Sequence, residues 1–447
     1  MLDLGTASRD ELLGVIARQQ AQIVALQGRV VELEARVREL EARLARGRPR
    51  GMPGLKEAEA ASGPPKPRKR RARGYGRRRG TPTDYVVHAL ERCPRCGDLL
   101  AGGAIQRTRE VLEVEPSPAQ VVAHVFVARR CGQCGRRWTP PAAELQDVVV
   151  GQQRLGIGLV SLVATLREAG RLPVGTVQWY LEAVHRLHLS AGAIIGVARR
   201  VAQRGQAQVG QILERVRASP VVHADETGWR EHGRNGYVWT FSTPTERYFV
   251  RRGRNKEVVD EVLGEQFGGI LASDFYAAYH HYDGLHQRCW AHLLRDIHDL
   301  SAQHPADAAL RRWARRVHRV YARAQAYASP RERERVRAMR RFEAQLLRVC
   351  QPFLADDQAP QRTLCARIER HLAELFVFVA HPAVPSDNNA AERSLRHLVT
   401  SRKISGGTRS DQGTATKMAL STLFGTWRAQ GLDPLLACRL LLTQPQL

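Results

Sequence analysis

Four short runs of apolar and β-branched residues decide the fold of this chain: Pro220-Val-Val-His-Ala-Asp225, Gly236-Tyr-Val-Trp-Thr-Phe241, Arg247-Tyr-Phe-Val-Arg-Arg252 and Gly269-Ile-Leu-Ala-Ser-Asp274. Runs of this length and composition, bounded by turn residues, predict β-strands. Asn255–Leu263 predicts a short helix before the fourth strand, and His286–Trp290 predicts a fifth strand. The first and fourth strands each end in a carboxylate, Asp225 and Asp274.

The predicted order of these elements is β-β-β-α-β-α-β. It is the order of a ribonuclease-H-like fold, in which three antiparallel strands lead into parallel ones. A right-handed crossover would set the first and fourth strands side by side. Asp225 and Asp274 would then lie at neighbouring strand ends, close enough to share a metal ion.

A third carboxylate follows a helical, Arg-rich insert at about 304–380. Pro385-Ser-Asp-Asn-Asn-Ala-Ala-Glu392-Arg-Ser-Leu-Arg396 begins with residues typical of a helix N-cap, so Glu392 falls within the first two turns. Asp387 is the alternative third carboxylate, although an N-cap role explains it. Glu226 should face away from Asp225, which makes it a poorer ligand.

Three clustered carboxylates suit magnesium, a hard cation that prefers oxygen ligands. Two such ions stabilise the entering and leaving oxygens of a phosphoryl displacement. We therefore expect Asp225, Asp274 and Glu392 to be catalytic and to hold two Mg²⁺ or Mn²⁺ ions, with Asp225 bridging them.

The region 10–45 predicts a coiled coil. Apolar residues recur in alternating steps of three and four, the heptad seam, at Ile23, Leu26, Val30, Leu33, Val37, Leu40 and Leu44. β-Branched residues at one seam position and Leu at the other favour a parallel dimer, so we expect a homo-oligomer; a solvated single helix is the alternative.

A basic linker at 46–82 and the overall charge both indicate a polyanionic partner. Lys and Arg number 69 against 44 Asp and Glu, a formal charge of +25. The basic run includes Arg68, Lys69, Arg70, Arg71, Arg77, Arg78 and Arg79, which are candidate contacts for DNA phosphates. Together with Arg393, Arg396, Arg402 and Lys403 they form the predicted DNA-binding set; a solubilising tail is the alternative for the linker.

Two cysteine pairs at 83–145 predict a zinc ribbon. Cys93, Cys96, Cys131 and Cys134 form two CxxC pairs, and a Gly follows each pair. Four thiolates hold a structural Zn²⁺ with no open position. The Val-rich stretch Glu110–Arg129 between them predicts a β-hairpin.

The flanking regions 146–217 and 411–447 have helical patterns. Gly175–Leu187 and Ala191–Val201, joined at His188–Ser190, could form a helix-turn-helix that contacts DNA, and plain helical packing explains them equally well. No run of about 18 apolar residues predicts a spanning helix. The first residues lack a signal-peptide core, so we expect a cytoplasmic protein with no membrane partner.

Several of these motifs together resemble the transposases of the insertion-sequence-sixty-six family. The resemblance rests on His223-Ala-Asp225-Glu-Thr-Gly-Trp229, Ser273-Asp274-Phe-Tyr-Ala-Ala-Tyr279, Cys289-Trp-Ala-His292 and Asn388-Asn-Ala-Ala-Glu392-Arg393. It also covers the helical N-terminal segment and the zinc-binding domain. Thr400-Ser-Arg-Lys403-Ile-Ser-Gly-Gly departs from the Gly-Arg-Lys-Asn sequence associated with the family.

The resemblance implies a bacterial, nucleoid-associated DDE transposase. Such an enzyme cuts double-stranded DNA at insertion-sequence ends and joins the ends to target DNA, and accessory proteins of the same element are a further class of partner. The fold class is thus multidomain α/β: a coiled coil, a zinc ribbon, a helical DNA-binding region, and a ribonuclease-H-like catalytic domain at 218–410 with its helical insert. A DNA-binding regulator and a related nuclease are the rival functions.

Three smaller predictions concern side chains near the carboxylates. Cys289 and His292 are two ligands at most, which favours a structural role over a metal site. His223 lies on the same strand face as Asp225, and either core packing or substrate orientation explains it. The aromatic residues Trp229, Tyr237 and Trp239 are more often core than base-stacking residues in a strand.

Overall fold

The computed structural model describes residues 81–105, 108–109, 111–112, 114, 116–141, 145, 147–150 and 153–444, together with residues 20, 22–23, 26–30 and 34. The chain divides into two units, Met1–Leu112 and Glu113–Leu447. The basic run at 66–79 lies outside the described residues. The described part of the chain has no helix long and apolar enough to cross a membrane.

In the first unit, the described residues of the predicted coiled coil are helical. The seam side chains Ile23, Leu26 and Val30 are exposed in the single chain. The first cysteine pair lies further along, in a tight turn closed by an antiparallel bridge between Arg92 and Leu99.

The second unit contains a short hairpin, a mixed sheet and a series of helices. Its strands are β1 Arg129–Arg130, β2 Arg137–Trp138, β3 Val221–Glu231, β4 Arg234–Ser242, β5 Arg247–Arg252, β6 Ile270–Ser273 and β7 His286–Arg288. Its α-helices are α1 Ile157–Glu168, α2 Val174–His185, α3 Ala191–Arg204, α4 Gln206–Arg217, α5 Glu257–Leu263, α6 Trp290–Gln303, α7 Ala308–Gln325, α8 Glu332–Cys350, α9 Arg362–Arg370, α10 Val377–Ala380, α11 Asn389–Ser405, α12 Asp411–Ala429 and α13 Pro434–Thr443.

The mixed sheet has the strand order β5-β4-β3-β6-β7. β3, β4 and β5 are antiparallel, and β6 and β7 continue the sheet in parallel with β3. The five strands follow one another as predicted, and the first and fourth runs lie side by side. The predicted α-helix between the fourth and fifth strands is instead a single 3-10 turn, Ala277–Tyr279. The fifth strand is shorter than predicted, since it ends at Arg288 before α6 begins.

β3 is longer than the sequence predicts. We expected it to end at Asp225, but it continues to Glu231 because β4 pairs with it along the whole hairpin, from His223↔Ser242 to Glu231↔Arg234. Asp225 therefore lies within the strand, and its backbone is fixed by the antiparallel ladder. Asp225 lies instead just beyond the point where the parallel pairing of β3 with β6 ends, at His223↔Ala272.

The β-hairpin predicted at Glu110–Arg129 is wrong for the described residues of that stretch. Residues 116–128 carry no strand there, and Val121 and Val125 are exposed. The alternation of Val residues is a local pattern, whereas a strand needs a partner for its backbone groups. The pairing found nearby is β1 with β2, on either side of the second cysteine pair.

The helices before and after the sheet share one hydrophobic core. Side chains of α1–α4 pack together with those of α12 and α13, with Leu181, Ile194, Leu423 and Trp427 among the buried residues. α12 also covers the edge strand β5: the hydroxyl of Thr422 accepts the Phe249 amide at 3.1 Å. Covering an edge in this way removes an exposed row of backbone groups.

The region of the predicted insert is helical and has a core of its own, which begins with α6, before residue 304. α6–α10 bury Trp290, Trp313, Phe342 and Phe376 against one another. α7 begins where the side chain of Asp307 accepts the Leu310 amide at 2.9 Å, an N-cap. This insert separates β7 from α11, the helix that carries Glu392.

α11 packs on the sheet through Leu395 and Leu398, which are buried with Trp229 and Val238. Its C-terminal end turns through two glycines of positive φ. Gly407 has φ 107° and lies so close to the Arg230 carbonyl that a Cβ there would overlap the oxygen. Only glycine fits, so the end of α11 is fixed against β3.

Candidate active site

Asp225 and Asp274 lie level with each other on neighbouring strands. The parallel register of β3 and β6 pairs His223 with Ala272. Asp225 follows His223 by two residues, and Asp274 follows Ala272 by two. Asp274 lies one residue beyond the end of β6, so the two aspartates lie at the same level where the parallel pairing of β3 with β6 ends.

Backbone groups fix one oxygen of each aspartate. The Glu226 amide donates to Asp225 Oδ1 at 2.9 Å, and the Tyr276 amide donates to Asp274 Oδ1 at 2.9 Å. The buried Arg288 donates to the Asp274 carbonyl oxygen at 2.8 Å, which holds the backbone beyond β6. These bonds orient the two carboxylates and leave Oδ2 of each for another partner.

Asn388 joins the strand of Asp225 to the helix of Glu392. It is 1% exposed and is the N-cap residue of α11. Its Nδ2 donates to the Ala224 carbonyl at 2.7 Å, and its Oδ1 lies 3.1 Å from His223 Nδ1. Glu392 is the fourth residue of the helix, and its amide donates to the Asn388 carbonyl at 3.2 Å.

The electrostatics of Asp225 indicate that the acids lie near one another. Its pKa is raised from 3.8 to about 8, mainly by burial and then by the charges of Glu226, Asp274 and Glu392. A buried cluster of like charges resists ionisation unless a cation is present. An all-oxygen donor set of this kind fits Mg²⁺ or Mn²⁺.

Glu392 has an atom available to such a cation. Its Oε1 is buried and accepts no hydrogen bond from the described residues. A buried carboxylate oxygen without a partner is costly, so its presence indicates a site whose occupant supplies the missing interaction. Of the three predicted catalytic residues, Glu392 thus has a buried oxygen that the described residues leave unsatisfied.

Glu226 is adjacent to the trio but already engaged. Its Oε2 accepts from the Tyr279 hydroxyl at 2.8 Å, and its Oε1 accepts from Arg254 at 2.9 Å. The guanidinium of Arg254 in turn lies 3.9 Å from the ring centre of Tyr276. With both oxygens bonded, Glu226 positions Arg254 and Tyr279 better than it could hold a metal.

The remaining candidates near the trio have structural contacts. The oxygen Oδ1 of Asp387 accepts the Asn389 amide at 3.0 Å, so the N-terminal turn occupies it. His223 is buried against Asn388, and burial lowers its pKa. Trp229 and Trp239 are 2% and 0% exposed, which identifies them as core residues, as their strand positions favoured.

The basic candidates fall into three groups. Arg393 and Arg396, just after Glu392, are exposed, as is Lys403. Arg402 donates to the Gly228 carbonyl and, at 3.2 Å, to Thr227 Oγ1, so it ties α11 to β3. Arg68, Lys69, Arg70, Arg71, Arg77, Arg78 and Arg79 lie outside the described residues. DNA contact by any of them stays a prediction.

Each cysteine pair forms the same tight turn. The Gly97 amide donates to the Cys93 carbonyl at 2.8 Å, and the Gly135 amide donates to the Cys131 carbonyl at 2.9 Å. Both glycines have positive φ, 75° and 65°, as the sequence suggested for a knuckle. The amides of Cys96 and Cys134 lower the pKa of the Cys93 and Cys131 thiols, which favours thiolate ligands.

The structure adds a relation that the sequence did not predict. Cys289 and His292, expected to be a structural pair, lie with Glu392 in a group whose ligand atoms are all within 4.8 Å of one another. The Cys-x-x-His spacing was visible, but its third member lies beyond the helical insert. No local pattern could have identified Glu392 as their neighbour.

The fold and site define an α/β protein with a mixed sheet and a group of neighbouring acids at the end of its parallel strand pair. Residues 152–416, more than half of the 447-residue chain, match the model of a family described as "Transposase IS66 family". The chain belongs to this family, which confirms the resemblance seen in its motifs.

One relative is similar over a short segment. "Uncharacterized protein y4jO" of Sinorhizobium fredii (strain NBRC 101917 / NGR234) is 40% identical over 70 residues. The match covers 16% of this chain and spans 22% of the relative's own length.

Proposed function

We propose that this protein is a DDE transposase that cleaves DNA at insertion-sequence ends and transfers the strands to target DNA. The observation that carries the proposal is the level placement of Asp225 and Asp274 on neighbouring parallel strands, with Glu392 near enough to raise the pKa of Asp225. Membership of a transposase family supports a DNA substrate.

The proposed catalytic domain is ribonuclease-H-like. The sheet order β5-β4-β3-β6-β7, with three antiparallel strands followed by two parallel ones, supports this assignment. In such a sheet the first and fourth strands are neighbours, and Asp225 and Asp274 lie where their parallel pairing ends. Glu392 would approach the same place from helix α11 rather than from a strand. The insert can therefore lie between β7 and α11.

Asp225, Asp274 and Glu392 would hold two Mg²⁺ or Mn²⁺ ions. Bound there, the ions would supply charge stabilisation for the entering and leaving oxygens of an in-line phosphoryl transfer. Asp225 would bridge the two ions. The residues around these three acids would orient them or bind DNA, as their contacts indicate.

Asp225 must lose its proton before it can act as a ligand, because its pKa lies near 8 in the metal-free protein. Asn388 keeps β3 and α11 at a fixed separation through its contacts with Ala224 and His223. Arg393 and Arg396, exposed beside Glu392, are placed to bind DNA phosphates next to the acids. Different residues would therefore orient the acids and bind the DNA.

The other parts of the chain would assemble the DNA complex. We propose a structural zinc ribbon through Cys93, Cys96, Cys131 and Cys134, a dimer or higher oligomer through the coiled coil at 10–45, and phosphate contacts by the basic linker. The succession of α2 and α3, with Ser190 capping α3, supports a helix-turn-helix. Their contact with DNA is part of the proposal, as are accessory proteins and a cytoplasmic, nucleoid-associated location.

The test is a cleavage and strand-transfer assay on a duplex that carries the element's own ends. We expect nicking and joining with Mg²⁺, none with EDTA, and none for Glu392→Gln or Asp225→Asn at unchanged DNA affinity. Arg312→Gln, an exposed residue of the insert, is the matched control and should retain cleavage. Cleavage that survives in Glu392→Gln would overturn the assigned trio.

A further inference from the structure

Cys289, His292 and Glu392 form a compact group beside the proposed catalytic trio. Cys289 immediately precedes α6, His292 lies in its first turn, and Glu392 lies in the first turn of α11. Their ligand atoms are all within 4.8 Å of one another. Atoms bound to one tetrahedral zinc ion lie about 3.3–3.6 Å apart, so a small inward adjustment would suffice for shared coordination.

Hydrogen bonding does not explain this grouping. His292 Nε2 lies 3.7 Å from Glu392 Oε1, which is too long for a hydrogen bond. His292 Nδ1 and Glu392 Oε1 are both buried, and neither has a hydrogen-bond partner among the described residues. Glu392 Oε1, the oxygen nearest His292 Nε2, is thus a buried atom of this group whose missing interaction a cation would supply.

The sulfur atom of Cys289 has the environment of a ligand. The Asn388 amide donates to Sγ at 3.1 Å. Burial raises the pKa of the thiol above its ordinary value, and the amides of His292, Asn388 and Ala291 offset only part of that rise. A cation bound beside the sulfur would favour the thiolate, because the thiolate is the form of cysteine that binds metal.

We propose that Cys289, His292 and Glu392 are a second metal site, which binds a zinc-class ion and not magnesium. Magnesium requires oxygen ligands, whereas thiolate and imidazole select the softer transition metals. Three protein ligands leave the fourth tetrahedral position open to water.

The site has a consequence for the reaction, and this part rests on the proposed function. Glu392 belongs to both ligand sets, so an ion held by Cys289 and His292 withdraws its carboxylate from the acids on β3 and β6. Zinc is therefore a competitor of Mg²⁺ at this enzyme. Zinc binding would hold the protein in a form that binds DNA without cutting it.

The direct test is titration of the full chain with Co²⁺, a coloured stand-in for zinc. The zinc-ribbon cysteines also bind cobalt, so wild type is compared with Cys289→Ser. We expect wild type to take up one more cobalt equivalent, with additional thiolate-to-cobalt absorption. Equal stoichiometry and equal absorption in the two proteins would overturn the site.

Two further variants separate a loss of metal binding from a loss of folding. Cys438→Ser removes another buried cysteine, outside the group, and should leave the cobalt spectrum as in wild type. His292→Gln changes a partly exposed residue, so the fold should survive; the cobalt affinity of this site should fall at least tenfold. Unchanged affinity in His292→Gln would count against the ligand set.

The competition is measured as zinc inhibition of Mg²⁺-dependent cleavage, relative to each protein's own uninhibited rate. The zinc concentration for half-inhibition should rise at least tenfold in His292→Gln. If cleavage occurs but cobalt does not distinguish wild type from Cys289→Ser, the second site fails and the transposase proposal stands. If cobalt distinguishes them and no preparation cleaves DNA, the site stands and the proposed function fails.

Discussion

The raised pKa of Asp225 makes metal binding depend on pH in a calculable way. At a pKa of about 8, the side chain is protonated at pH 6 and must release its proton to bind a cation. The ionised fraction rises from about 1% at pH 6 to about half at pH 8. Apparent affinity for Mn²⁺ should therefore rise about 50-fold over that range and less than twofold from pH 8 to 9.

Calorimetry of Mn²⁺ binding between pH 6 and 9 checks this magnitude. Repeating each titration in buffers of different ionisation enthalpy counts the protons released, and we expect close to one at pH 6.5. Asp225→Asn, which cannot titrate, should bind more weakly and with little dependence on pH from 7 to 9. An affinity that is flat from pH 6 to 8 in wild type would refute the electrostatic reasoning.

The same titration affects folding of the metal-free protein. The folded-state pKa of Asp225 lies above the ordinary value of 3.8, so its contribution to stability is full below pH 4 and is lost as pH rises towards 8. The free energy of unfolding of Asp225→Asn, minus that of wild type, should therefore increase by about 1 kcal/mol for each unit of pH from pH 5 to pH 7. Urea unfolding at both pH values measures the difference, and a constant difference would contradict it.

Three other substitutions test the architecture around the acids. Gly407→Ala should lower the free energy of unfolding in urea by about 2–4 kcal/mol, because the added Cβ would overlap a β3 carbonyl oxygen. The control Gly406→Ala, whose Cβ meets no atom within 4 Å, should cost about 1 kcal/mol. Equal costs would contradict the close approach of Gly407 to β3. Asn388→Ala should lower the free energy of unfolding by about 1–3 kcal/mol, since it leaves buried polar groups unpaired. It should also slow cleavage at least tenfold at saturating Mg²⁺. A normal cleavage rate would show that Asn388 does not position Glu392. Arg393→Ala should reduce the slope of log affinity against log salt by about one in a DNA-binding titration, and an unchanged slope would remove it from the phosphate contacts.

The strands of the sheet could be predicted because each is a short apolar run with turn residues on both sides. The extension of β3 beyond Asp225 could not. Glu226, Thr227 and Gly228 have low or mixed strand propensity, and they are strand residues because β4 pairs with them and α11 packs over Trp229. Tertiary contacts of this kind override local preference.

The candidate site was predictable in its acids and not in their neighbours. Asp225, Asp274 and Glu392 could be selected because the sequence pattern placed each of them at the end of a strand or the start of a helix, although Asp225 lies within β3. Asn388 was part of the same motif, yet its bonds to Ala224 and His223 depend on how α11 meets β3. The link from Cys289 to Glu392 depends on the same packing, which no spacing in the sequence records.

The insert between β7 and α11 is closed at its base. The Trp290 amide donates to the Ser386 carbonyl at 2.9 Å, and the Asn388 amide donates to Cys289 Sγ at 3.1 Å. Its helices have their own core, so the chain leaves the sheet and returns to it at one fixed point. The entropy of closing a loop grows only slowly with its length. A change in the length of this insert should therefore cost little stability and leave the position of Glu392 relative to β3 unchanged.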